Sequence, residues 1–157
     1  MSTVIHLKLH GKLTPPLTKS RLLCAATYCV QAAQRWSRPT VPWQEVTIHL
    51  IHDKVSAEVN AAIMNHEGPT DVITQRYEPF PGEPEGLIGE LYVNLDEALR
   101  VSQRLKRTTF EEETILYIAH GCDHLTDADD ATPIERAAMR KRDLRWMHAV
   151  MKQLKQQ

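Results

Sequence analysis

Two helix-start signatures constrain the second half of this chain more tightly than any other feature. Thr109-Phe-Glu-Glu112 and Thr132-Pro-Ile-Glu135 each put a hydroxyl at the cap and a Glu at the third helical position. That pairing satisfies two of the backbone N–H groups a helix start leaves orphaned. The second signature adds Pro133 at the first helical position, where a missing N–H costs nothing. One helix is therefore expected from about Phe110 to about Leu125, a break from Thr126 to Ala131, and a last helix opening after Thr132.

The first half is read from hydrophobic periodicity. Val4 to His10 alternates Ile5, Leu7 and Leu9 against Val4, His6, Lys8 and His10, the pattern of a half-buried strand. Leu17 to Trp36 carries Leu22, Leu23, Ala26, Val30 and Ala33 at helical spacing, and Arg38-Pro-Thr-Val-Pro42 ends it. Glu45–Ile51 is a second strand, Ser56–Met64 a short helix, Asp71–Arg76 a third strand, Leu87–Asn94 a fourth and Leu95–Lys106 a helix. Between the third and fourth strands lies Glu78-Pro-Phe-Pro-Gly-Glu-Pro-Glu-Gly86, a loop by its three prolines and two glycines.

The bracketed helix carries the chemistry. It contains His120-Gly-Cys-Asp-His124, followed by Asp130 in the break. On a helix, residues four apart share a face, so both imidazoles can grip one ion. A carboxylate returning from the turn beyond would be a third ligand and leave a fourth tetrahedral position open, the arrangement of catalytic rather than structural zinc. Spacing alone is weak evidence in a chain with eight histidines. His6 and His10 have the same spacing, but in a strand they lie about 13 Å apart and cannot share an ion. The second pair differs because Ile115, Leu116, Ile118, Ala119 and Cys122 leave its helix little polar face, and burying imidazoles is costly unless they are partnered. A zincin protease is excluded: it requires Glu directly after the first His, and Gly121 stands there. Gly inside a buried helix costs roughly 1 kcal/mol relative to Ala, which suggests that something approaches it closely.

Composition bounds the rest. A chain of 157 residues, 42% hydrophobic and 25% charged, fits one soluble globular domain. A net charge of −1 makes no general magnet for nucleic acid, but local basic patches remain open. Arg100, Arg104, Lys106 and Arg107 gather near one helix end; Arg136, Arg140, Lys141, Arg142 and Arg145 gather on the last helix. Such runs are commonly solvated faces. No apolar run approaches the roughly 20 residues that span a bilayer, and the N-terminus reads as a strand start rather than a signal peptide. Cys24, Cys29 and Cys122 form no C-x-x-C pair, so free thiols and a cytoplasmic location are expected.

At the His helix the chain resembles the YbeY family of bacterial endoribonucleases and rRNA maturation factors. The family pattern H-G-x-x-H-L-x-G-x-D-H is matched by His120-Gly121-Cys-Asp-His124-Leu125-Thr-Asp-Ala-Asp129-Asp130. A block L-N-x-x-Y-R followed by P-T-D-V-L-S-F resembles Val59-Asn60-Ala-Ala-Ile63-Met64 and then Pro69-Thr70-Asp71-Val72-Ile73-Thr74. A third block, G-D-I, resembles Gly89-Glu90-Leu91, and Glu135-Arg-Ala-Ala-Met139-Arg fits the family's C-terminal helix. The blocks keep the family's order, which raises the match above any one motif.

The resemblance implies an α+β fold: a single domain over residues 1–157, a small mixed four-stranded sheet packed with about five helices, and a metal site on a central helix. It implies one divalent metal ion, zinc before others, held by His120, His124 and Asp130. It also implies a cytoplasmic single-strand endoribonuclease acting in 16S rRNA 3′-end maturation and ribosome quality control, with ribosomal RNA and the small ribosomal subunit as partners. Catalysis is expected from a water activated by the ion. No catalytic side chain is assigned. Glu90 and Asp123 are the candidates to accept a proton, although such carboxylates are more often structural or solvated. Four departures from the pattern bear on the chemistry. Asp130 replaces a His, Asp127 a Gly, and Glu90 an Asp; Met64 replaces an Arg that could hold a phosphate. Asp is a legitimate zinc ligand, and two His with one carboxylate also suit iron. The Met64 departure keeps open a metal-stabilised, ribosome-associated binding factor with little nuclease activity, or a metallohydrolase of another substrate.

Overall fold

A computed structural model describes residues 2–157. Four strands, β1 (Val4–Leu9), β2 (Glu45–Ile51), β3 (Val72–Tyr77) and β4 (Ile88–Asn94), form one sheet in the order β1-β2-β4-β3. β1 pairs with β2, and β2 with β4, in parallel, while β3 runs antiparallel along the outer edge of β4. Parallel neighbours cannot be joined by a hairpin. The long helix α1 (Lys19–Ser37) makes the crossover from β1 to β2. The remaining helices are α2 (Asp53–Val59), α3 (Leu95–Leu105), α4 (Phe110–His124) and α5 (Pro133–Lys155). The expected α+β class, mixed sheet and five helices are all present.

One face of the sheet makes the core. Val46, Ile48 and Leu50 of β2 and Leu91 and Val93 of β4 are fully buried with Leu22, Ala26, Val30, Ile115 and Ile118 of the covering helices. The other face is polar and half open, carrying His49, Glu90 and Tyr92. Both capping boxes form as expected. Thr109 and Thr132 accept from the N–H groups of Glu112 and Glu135, whose carboxylates accept from the cap N–H groups in return.

Helix α4 lies unusually close to the sheet. A Cβ added at Gly121 would stand 2.5 Å from Leu91 Cδ2 and 3.2 Å from Val72 Cγ2. On β4 itself, a Cβ at Gly89 would stand 2.7 Å from Leu125 Cδ2. Thr74 of β3 donates its hydroxyl to the Gly121 carbonyl at 3.1 Å. The two glycines therefore set the depth at which α4 sits, and that depth places the His pair against the edge of the sheet.

The expected helix Ser56–Met64 differs from what forms. α2 starts earlier, at Asp53, and passes into a π-helical turn at Asn60–Met64. The start escaped notice because His52 caps it without a side-chain hydrogen bond. Asn60 is buried, and its amide donates to the Gly68 carbonyl at 2.9 Å, tying the π turn to the loop ahead of β3. The other elements begin or end within two residues of expectation, the usual fraying range. The three cysteines are free, and among the described residues no helix is long and apolar enough to cross a membrane.

Candidate metal centre and cleft

Helix α4 delivers His120 and His124 to one face, one turn apart, with ring centroids 4.5 Å apart and planes at 82°. Their Nε2 atoms are 3.1 Å apart, and Asp130 Oδ2 is 3.3 Å from His124 Nε2. One donor atom from each of the three lies within 4.8 Å of both others. Two nitrogens at about 2.0–2.1 Å from a tetrahedral ion stand about 3.3–3.4 Å apart, so the observed spacing suits a cation of that size. The donor set of two imidazoles and one carboxylate is one that zinc and ferrous iron accept.

Asp130 reaches the pair because the turn after α4 is built to return it. Thr126 donates its hydroxyl to the Asp123 carbonyl at 2.6 Å and accepts from the Ala128 N–H at 3.1 Å, which ends the helix sharply. Arg136, in the first turns of α5, donates to the carbonyls of Asp130 and Ala131 at 3.3 and 3.0 Å and pins the far side of the turn.

Behind the pair stands a residue that sequence reading missed. His120 donates its Nδ1–H to Asp143 Oδ2 at 2.7 Å, with the Asp143 side chain only 3% exposed. This fixes the ring tautomer and leaves the Nε2 lone pair facing His124 and Asp130, as metal-bound imidazoles are commonly held. The only sequence signal was one acid, Asp143, inside the basic run Arg140–Arg145. Burial opposes protonation of His120, but the Asp143 hydrogen bond and charge outweigh it, and its pKa lies above the ordinary imidazole value. For His124, burial and the neighbouring His120 lower the pKa, so this ring favours the neutral form that ligation requires.

Neither candidate proton acceptor is brought to the cluster. Glu90 projects from the opposite face of β4 to Leu91. There it accepts from Tyr92 Oη at 2.6 Å and lies 3.3 Å from His49 Nε2. Asp123 is wholly buried between α4 and α5, beside Asp143, in a two-point bond with Arg142 at 2.8 and 2.9 Å. Burial, and then the nearby Asp143, raise its pKa above the carboxylate range despite Arg142. Arg142 is thus no part of a basic surface; its guanidinium lies 3.8 Å from the centroid of the Trp36 ring, between α1 and α4.

A cleft of about 430 Å³ opens beside the cluster. Glu113, Leu116, Tyr117 and His120, at helical spacing on α4, form its floor. Arg104 and Arg107 line it from the end of α3, Arg136 and Arg140 from α5. Two basic groups far apart in sequence therefore meet over one floor, next to the His120, His124 and Asp130 cluster. Arg100 stays outside, paired with Asp53 at 2.7 Å, and Met64 is exposed and does not line the cleft.

Comparison with known proteins follows the same residues. The family model described as Endoribonuclease YbeY matches residues 15–151. An Endoribonuclease YbeY of Chlorobium chlorochromatii is 36% identical over 91 residues, covering 58% of this chain and 55% of that protein. One of Salinibacter ruber is 35% identical over 105 residues, covering 64% and 66%. The chain spans about half to two thirds of the length of these relatives. The solution structure of TM1509 from Thermotoga maritima shares the fold, with a TM-score of 0.64 and 18% identity over 98% of this chain and 93% of that one. Through a family match that covers α1 to most of α5, including His120, His124, Asp130 and the floor of the cleft, the chain belongs to the YbeY family.

Proposed function

We propose that this chain is a metal-dependent endoribonuclease of single-stranded RNA, with His120, His124 and Asp130 as the ligands of one divalent ion, zinc before iron. The observation that carries the reading is the convergence of those three donors at the end of an arginine-lined cleft. Such an ion, when bound, acidifies water and polarises a phosphoryl oxygen.

The chain's own residues supply the rest. Asp143 holds His120 in the tautomer whose Nε2 faces the cluster. Arg136 holds the turn that presents Asp130. The cleft gives an extended strand a seat beside the donors. The substrates and setting proposed are those of the relatives' family: ribosomal RNA, its 16S 3′ end, the small subunit, and the cytoplasm, with residues 1–157 acting as one domain.

The test is metal content and cleavage together. Purified protein is expected to carry one ion per chain and to cut unstructured RNA, while Asp130→Ala loses both. An ion retained by Asp130→Ala at full occupancy would remove this carboxylate from the ligand set.

A second reading rests on the position of Asp130 in the turn between α4 and α5. An ion joining it to His120 and His124 would clasp that turn to α4 and stabilise the fold, as in a ribosome-associated binding factor with little nuclease activity. Chelation that lowers the melting temperature, in a metal-loaded protein that cuts no RNA, would favour this reading.

A further inference from the structure

We propose that Arg104, Arg107, Arg136 and Arg140 form a two-sided clamp for the backbone phosphates of a single RNA strand laid along α4. The inference rests on the nuclease reading above for the identity of the strand, and it goes beyond that reading by assigning the residues that hold it.

Charge complementarity carries the proposal. All four guanidinium groups belong to exposed residues at the rim. Arg136 and Arg140 are one turn apart on α5 and project from one face. Arg104 lies in the last turn of α3, and Arg107 follows it in the link to α4. The carboxylates of the same cleft are already engaged: Asp71 accepts from the Val72 N–H at 2.7 Å, and Asp130 belongs to the donor cluster. Glu113 is 3% exposed and accepts from the Thr108 hydroxyl at 2.7 Å; Asp143 is 2% exposed and accepts from His120. The acids are thus partnered within the protein or the cluster, while Arg104, Arg107 and Arg140 stand exposed at the rim and Arg136 holds the Asp130 turn beside them. Arg104, Arg107 and Arg140 make no side-chain ion pair among the described residues, unlike Arg21, Arg76, Arg100 and Arg142. A planar guanidinium matches phosphate oxygens in a two-point bond, which suits such a rim to a polyanion. From Glu113 to His120 the floor runs about 10 Å along the helix, long enough for more than one phosphate.

The experiment is equilibrium binding of a fluorescent, unstructured 12-nucleotide RNA by anisotropy, across a salt series, with the full chain. Arg104→Glu and Arg140→Glu are each expected to weaken binding at least about tenfold near 0.1 M salt. Arg104→Gln and Arg140→Gln are each expected to lower the slope of log affinity against log salt by about one. Lys141→Glu, exposed on the same helix but outside the cleft, is expected to stay within about twofold. Arg136 is left intact because it also holds the Asp130 turn. Circular dichroism checks that each variant is folded. The clamp is overturned if wild-type protein does not bind the RNA, if the arginine variants bind as wild type does, or if Lys141→Glu loses as much as Arg140→Glu. Failure of the nuclease reading appears differently: arginine-dependent RNA binding by a metal-loaded protein that cuts nothing.

Discussion

His6 and His10 have the same spacing as His120 and His124 and an opposite fate. On and just past β1, His6 turns to Glu45 at 3.1 Å and His10 to His49 at 2.9 Å, each finding a partner on the neighbouring strand. On α4 the same interval brings two Nε2 atoms to 3.1 Å of one another and leaves a carboxylate beside them. A four-residue interval is a contact on a helix and a separation on a strand. What converts spacing into a cluster of donors is the element beneath it, and here that element is a buried helix seated on glycine.

The largest effect that tests this contrast is metal loss. His124→Ala is expected to weaken metal affinity at least about a hundredfold, more than the loss typical of an outer-shell partner. His10→Ala is expected to leave affinity unchanged. Titration calorimetry on both decides the matter, and equal losses would erase the distinction between the two pairs.

A smaller effect probes the seat of the helix. In an open helix, Gly→Ala gains about 1 kcal/mol. At Gly121 the new methyl would meet Leu91, which is fully buried and has little room to yield. Overpacking of this kind costs about 1–3 kcal/mol, so Gly121→Ala is expected to lower the urea midpoint. A raised midpoint would mean that α4 can lift off the sheet at no cost.

The smallest effect concerns the sheet-face imidazoles. Burial holds the His49 pKa below its ordinary value of 6.5 even with Glu90 beside it. Above about pH 6.5 both folded and unfolded states keep this ring neutral. As pH falls, the unfolded chain takes up the proton first, so stability is lost from about pH 6.5 down through the folded pKa. His49→Gln should reduce that loss, as seen by denaturation at pH 7.0 and 5.5. An equal acid loss in the variant would assign the effect to other groups.

Much of this was legible in the sequence where the controlling interaction is local. The capping boxes depend on residues three apart, and they fixed α4, α5 and the turn that carries Asp130. Gly121 announced a close approach without naming Leu91 as the neighbour. What stayed hidden depends on tertiary placement. Asp143 orients a histidine 23 residues away, and its place as a lone acid in a basic run does not name that partner. Arg142 belongs to a basic run, yet it alone turns inward; Arg140 and Lys141 beside it remain exposed. The cleft joins two charge runs that the sequence could describe only one at a time. The missed start of α2 had no side-chain cap to signal it.

The inward turn of Arg142 bears on which substitutions the last helix will tolerate. A flat cation lying on Trp36 while forking onto Asp123 answers to three helices at once. Lysine keeps the charge but has neither the plane nor the fork. Charge on α5 can therefore drift at Lys141 or Arg145, where the side chains are exposed. At position 142 even the exchange for lysine gives up the stacking and one arm of the fork, and a scale that scores the two residues as equivalents would misjudge it.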